Sequence, residues 1–224
     1  MQIPLFFRLV PILAAGVVVS AQVPLEKEPH HHVVLDTLLL RVLDITLPAG
    51  ETSLEHAHDH DIATVALGNA SIRAKRAGEE YGAPRPRPVG STDIVEYTGA
   101  RGVHTSDNID KTPYHLIAVE NYRSGGWTTA QPFSAPATTL IKQTRAFTLY
   151  DVLLSAAAPT TNHAHEVPTV AVLVSGAITN QGTNGEEPYP VQGAGKWVLI
   201  PAAQSHTLRV AGAGDAHVVE IEVR

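Results

Sequence analysis

His56-Ala57-His58, separated from Gly50 by five residues, and His163-Ala164-His165, 107 positions further on, are the stretches that decide the fold. Their surroundings repeat with them. Asp44-Ile45 and Leu47 fall on Asp151-Val152 and Leu154 at the same offset, and Thr64-Val65-Ala66 resembles Thr169-Val170-Ala171 at an offset of 105. His104, His115 and Glu120 then fall on His206, His217 and Glu222 at an offset of 102. Small changes of offset are what unequal loops between two copies of one domain produce. With 12 histidines in 224 residues, chance supplies fewer than one His-x-His pair. The chain has four, and two of them recur in register, each with a third histidine behind it.

The rest of the chain reads as short strands. Leu39–Leu47, Ala63–Leu67, Tyr114–Glu120, Phe147–Leu154, Val170–Val174, Trp197–Ile200 and His217–Val223 are apolar, rich in β-branched residues and bounded by Gly, Pro, Asn or Asp. Such runs, with no helical stripe among them, predict an all-β sandwich or barrel. Proline cannot donate to a ladder, so Ala83-Pro84-Arg85-Pro86-Arg87-Pro88 reads as an exposed, extended loop. Residues 125–145, with Gly125-Gly126, Pro132 and Pro136, read as a bridging segment between an N-terminal domain over 22–124 and a C-terminal domain over 146–224.

Composition narrows the function classes. The 16 basic residues are outnumbered by 22 acids, a formal charge of −6, which makes nucleic acid and anionic membranes poor partners. The absence of cysteine excludes disulfides, thiolate nucleophiles and thiolate metal sites. Met1–Ala21 carries one positive charge, Arg8, then the apolar run Leu9–Val19, and closes on Val19-Ser20-Ala21. Such a run is too short for a bilayer core, which needs about 20 residues, and it reads as a secretory signal peptide cleaved before Gln22. The mature protein is then expected to be exported, periplasmic or secreted, with no membrane attachment. Its expected partner is a small-molecule substrate or ligand, and it could be a monomer or a homo-oligomer.

The histidines point to metal chemistry. Residues i and i+2 of a strand share a face, so His56/His58 and His163/His165 each aim two imidazoles into one space. His104 and His206, from later strands, are the third members. Three imidazoles suit Fe, Mn, Ni, Cu or Zn and leave coordination positions open. His60 shares the face of His56 and His58. His115 and His217, at the start of the last strand of each copy, read as structural rather than as barrel lining. Glu120 and Glu222 read as strand-end residues. His30-His31-His32 is a run of the kind that binds metal weakly.

On these residues the chain resembles the cupins, in their tandem, bicupin form. Gly50-(x5)-His56-Ala57-His58 is similar to the opening of the family's first motif. Gly195-(x5)-Pro201-Ala202-Ala203-Gln204-Ser205-His206 is similar to the second, with Ala203 in place of a glycine and Val210 in place of an asparagine. The first copy keeps the asparagine, as Asn108, and lacks the proline. Glu28-Pro29-His30-His31-His32 and the His-Ala-His-Asp-His stretch are also similar to small exported bacterial cupins of unassigned role. The resemblance implies two tandem cupin-type β-barrels (double-stranded β-helix, or jelly roll). It implies a divalent metal ion in each, iron or manganese ahead of zinc, nickel or copper, held by His56, His58, His104 and by His163, His165, His206.

The family's usual fourth ligand, a glutamate in the first motif, is replaced by Thr169 in the second copy and falls between Asp61 and Thr64 in the first. Two readings therefore stay open. One is a metal-dependent, dioxygenase-like oxidoreductase acting on a small oxygenated substrate. The other is a non-catalytic metal- or ligand-binding bicupin. No catalytic residue is identifiable; Glu120, Glu222 and Asp61 are the carboxylates to test as a general base.

Overall fold

The computed structural model describes residues 22–97, 99–123, 131–182 and 189–224. The expected signal peptide lies outside them. Among the described residues the regular structure is all strand apart from a single 3-10 turn at Leu25–Lys27, and no helix is long and apolar enough to cross a membrane. The first half runs β1 (Val23–Pro24), β2 (His31–Asp36), β3 (Leu40–Leu47), β4 (His56–His58), β5 (Asp61–Ala66), β6 (Ala70–Arg76), β7 (Arg85–Arg87), β8 (Thr92–Val95), β9 (Gly102–Asn108) and β10 (Tyr114–Asn121). The second runs β11 (Thr138–Gln143), β12 (Phe147–Leu154), β13 (His163–Ala164), β14 (Thr169–Ser175), β15 (Ala177–Gly182), β16 (Tyr189–Gln192), β17 (Trp197–Ile200), β18 (Ser205–Val210) and β19 (Ala216–Val223).

Each half is a jelly roll of two sheets. The orders are β1-β4-β9-β6-β7 with β2-β3-β10-β5-β8, and β13-β18-β15-β16 with β11-β12-β19-β14-β17. The duplication shows in the ladders: β10 lies between β3 and β5 as β19 lies between β12 and β14. One detail of the repeat changes. Glu120 pairs with Ile62 and Glu222 with Thr169, so β5 maps onto β14 at an offset of 107, and Thr64 corresponds to Ala171 rather than Thr169. Strand side chains alternate with period two, so a slip of two residues leaves every face unchanged and is invisible to pattern.

Alternation also explains the core. One face of β3, β5 and β10 packs on one face of β12, β14 and β19, and Val42, Val65, Ile117 and Val119 share a buried cluster with Phe147, Leu149, Val172 and Ile221. Burying each such side chain contributes about 1.5–3 kcal/mol. The two halves therefore share one core. Polar contacts pin the seam: the buried Asn121 Nδ2 donates to the carbonyls of Ala146 (3.0 Å) and Arg224 (2.6 Å), and Arg145 Nη2 to Asp61 Oδ2 (3.0 Å). His115 and His217 face outward, their Nε2–H groups bonded to Asp44 and Asp151. Each ring also reaches the other half: a Cβ on Gly90 would meet His217 at 2.7 Å, and one on Gly195 would meet His115 at 3.4 Å.

Two stretches read from sequence as irregular contain strands. Arg85–Arg87 is an edge strand, with Pro86 opposite Ser71, an outer position where a missing donor costs nothing. Within the stretch assigned to a bridging segment, residues 124–130 lie outside the described residues, while Thr138–Gln143 is β11, paired with β12. Its exposed faces carry no alternation to read.

Candidate metal centres

The six predicted histidines come together as two groups of three. In the first half His56 sits directly across the ladder from His104, and His58 follows on the same strand. In the second, His163 sits across from His206 in the same way. Ring centroids are 4.5 Å apart for His56/His104, 4.8 Å for His58/His104 and 5.1 Å for His56/His58. In the second centre they are 4.3 Å for His163/His206, 5.1 Å for His163/His165 and 5.3 Å for His165/His206.

The second centre has a fourth member that the sequence reading missed. Glu220, wholly buried on β19, joins His163, His165 and His206 in a set whose ligand atoms all lie within 4.8 Å of one another. Its carboxylate oxygens lie 3.9 Å from His163 Nε2, 3.7 Å from His165 Nε2 and 3.8 Å from His206 Nε2. The missing glutamate of β14 is thus supplied by the neighbouring strand. Val219-Glu220-Ile221-Glu222-Val223 held the signal, since two acids two apart between apolar neighbours must share a face. Both face inward, so Glu222, at the end of β19 as its pattern suggests, also lines the barrel.

Each imidazole of this centre is oriented by its outer nitrogen. Nδ1–H of His163 donates to the Thr161 carbonyl (2.8 Å), that of His165 to Glu222 Oε1 (2.9 Å), and that of His206 to Asn180 Oδ1 (3.1 Å). A carbonyl or carboxylate can only accept, so Nδ1 carries a proton in each ring and Nε2 faces inward, its lone pair open to a cation in the neutral ring. Those three Nε2 atoms and both oxygens of Glu220 are buried with no hydrogen-bond partner. Burying five such atoms unpaired is costly. A cation among them would satisfy all five, so the donor set fits a metal. Burial works against charge on His165, but Glu220 and Glu222 outweigh it and lift its pKa to about 9. On His206 burial prevails, lowering it to about 4. Burial would push Glu220 up; the adjacent imidazoles, His165 foremost, hold it below the usual carboxylate value.

A cover lies over this centre. Phe133 stacks on His163 (4.8 Å, 19° between planes) and meets His165 edge-on. Its backbone N–H donates to Tyr150 Oη (3.2 Å), and the Tyr150 hydroxyl donates to Glu222 Oε2 (3.4 Å).

The first centre is different in kind. It lines a cavity of about 600 Å³, together with Tyr97, Arg76 and Arg87. His56 Nδ1–H donates to the Leu54 carbonyl (2.9 Å), but both ring nitrogens of His58 are buried without a partner. Glu120, which corresponds to Glu222, is bonded by Arg41 Nη1 (3.0 Å) instead, and burial raises its pKa to about 7. Burial, reinforced by neighbouring imidazoles, lowers His58 to about 2 and His104 to about 4; it also lowers His56. Tyr97 stacks on His58 at 5.0 Å. His31 adds a fourth ring beside the group, 4.8 Å from His56, its Nδ1–H donating to the Leu25 carbonyl. Of the remaining candidates, His60 packs on Tyr122, and Asp61 accepts from Arg145 and the Tyr97 N–H at the seam.

No family model matches the sequence, and no curated protein matches it. Solved structures do. A Lactobacillus farciminis oxalate decarboxylase in a formate complex superposes with a TM-score of 0.63 at 13% identity, over 96% of this chain and 89% of that one. YhhW from Escherichia coli gives 0.60 at 18% identity, over 83% and 81%. A cupin 2 conserved barrel domain protein from Leptotrichia buccalis gives 0.56 at 10% identity, over 87% and 88%. The fold is therefore that of the cupins. Its particular form is the bicupin, two jelly rolls in one chain.

Proposed function

We propose that the protein is an exported, metal-dependent bicupin oxidoreductase of dioxygenase-like type, acting on a small oxygenated substrate. Its tightly held metal belongs to His163, His165, His206 and Glu220. The observation that carries this reading is the convergence of five buried, unpartnered ligand atoms in the C-terminal half. Three imidazoles and one carboxylate suit iron or manganese ahead of zinc, nickel or copper. Bound there, such an ion supplies Lewis acidity and open positions for substrate or dioxygen.

The chain's own groups have separable roles. Glu220 brings the negative charge that a cation needs in a dry site. Thr161, Glu222 and Asn180 fix the imidazole rings, and Phe133 keeps water off the face of His163. Export rests on the leader-like residues 1–21. The Phe133 cover also favours a second reading, a bicupin that holds metal without turnover. Metal analysis of tag-free protein, followed by oxygen uptake with small hydroxy, keto and carboxylic acids, tests both. The proposal expects stoichiometric iron or manganese, lost in Glu220→Gln and His163→Ala, and uptake that depends on it. Metal without turnover across the panel would leave the binding role; no stoichiometric metal would overturn both.

A further inference from the structure

The two halves differ by two substitutions that together reverse the charge of the site. The strand pairing that puts Glu220 opposite Tyr150 and Ala171 puts Ala118 opposite Leu43 and Thr64, so Ala118 stands where the fourth ligand would be. The residue across the ladder from His206 is Gly182; the residue across from His104 is Arg76. Directly opposed residues of an antiparallel pair have Cβ atoms about 4.5–5.5 Å apart on one face. Arg76 therefore projects from the same wall as His104, and both line the cavity. Where the C-terminal centre has a carboxylate and a glycine, the N-terminal one has an alanine and a guanidinium.

The guanidinium of Arg76 makes no hydrogen bond or ion pair among the described residues, and Tyr97, stacked on His58, feels its positive charge. Of the acids bordering the cavity, Asp93 is bonded by Arg87, and Glu79 and Glu80 are exposed. Three neutral imidazoles beside a free cation are a poor seat for a metal ion alone. They become a good one once an anion supplies the missing charge.

We infer that the N-terminal cavity is a binding site for a small organic carboxylate, anchored by Arg76, which takes the place of the Glu220 carboxylate and lets the three imidazoles hold a cation. The inference rests on reading these histidines as metal ligands. It makes the two ligands mutually dependent: carboxylate tightens metal, and metal tightens carboxylate by the same factor.

Zinc titration of the metal-free full-length protein by calorimetry tests this, with acetate and succinate as probes and acetamide and succinamide as their uncharged isosteres. Two classes of zinc site are expected. The carboxylates should tighten the weaker class by about tenfold, the amides not at all. Arg76→Gln, an exposed change that leaves the core untouched, should abolish the gain. Ala118→Glu should tighten the weaker class without any carboxylate. Equal effects of amides and carboxylates, or a gain that survives Arg76→Gln, would overturn the inference. Absence of the tighter class would instead count against the C-terminal metal, a separate failure.

Discussion

The carboxylate of Glu222 accepts the Nδ1 proton of His165 at 2.9 Å, which turns the other nitrogen of that ring toward Glu220. In the N-terminal half the corresponding pair, Glu120 and His58, is broken: Arg41 takes the glutamate, where the C-terminal half has Thr148 opposite Glu222. Orienting partners of this kind affect metal affinity by about 10–100-fold when removed. Glu222→Ala should weaken metal binding at the C-terminal centre by that factor, measured by chelator competition. Glu120→Ala should leave that centre unchanged.

Ala203 occupies the turn before His206, with φ of 60° and its N–H donated to the His165 carbonyl at 2.7 Å. This is the position at which the cupin-like pattern has glycine. A left-handed alanine costs about 1–2 kcal/mol relative to a residue without Cβ. Ala203→Gly should raise stability by about 1 kcal/mol, partly offset by a floppier unfolded chain. Urea denaturation would measure it.

Metal-free protein should lose stability in acid through the N-terminal imidazoles. Burial holds His58 near a pKa of about 2, far below its ordinary 6.5, so the unfolded chain binds a proton that the folded chain refuses. Its contribution is fully present above about 6.5 and is lost as pH falls toward 2. The slope is about 1.4 kcal/mol per pH unit for each such ring. His58→Asn should flatten the stability profile between pH 6 and 4 by about that amount.

Asn121 joins the halves through two carbonyls, those of Ala146 and Arg224. Asn121→Ala removes both of these bonds from a buried seam, leaving the Ala146 carbonyl with the Arg224 N–H (2.9 Å). It should cost about 1–3 kcal/mol, seen as a lower denaturation midpoint with an unchanged slope.

Much of this arrangement is legible in the sequence, for physical reasons. His-Ala-His on a strand fixes two rings on one face whatever surrounds it, so both triads could be read in advance. The period-two pattern likewise exposes the seven strands with strong apolar runs. It says nothing about a slip of two, which is why Thr64 and Thr169 look equivalent and are not. β11 and Arg85–Arg87 escape notice because edge strands with two exposed faces need no alternation. Glu220 is only half legible: its spacing from Glu222 puts both acids on one face, but its position beside Ala171, which brings it to the histidines, belongs to the ladder. The capture of Glu120 by Arg41, a residue 79 positions away, is equally a matter of sheet order.

The central claim is that the C-terminal half holds a metal ion through three imidazoles and the β19 carboxylate. Anomalous diffraction from crystals of tag-free protein, with data on both sides of the iron and manganese edges, tests it most directly. The account predicts an element-specific peak enclosed by Nε2 of His163, His165 and His206 and an oxygen of Glu220. Crystals soaked in manganese or ferrous iron that show no peak there would contradict it.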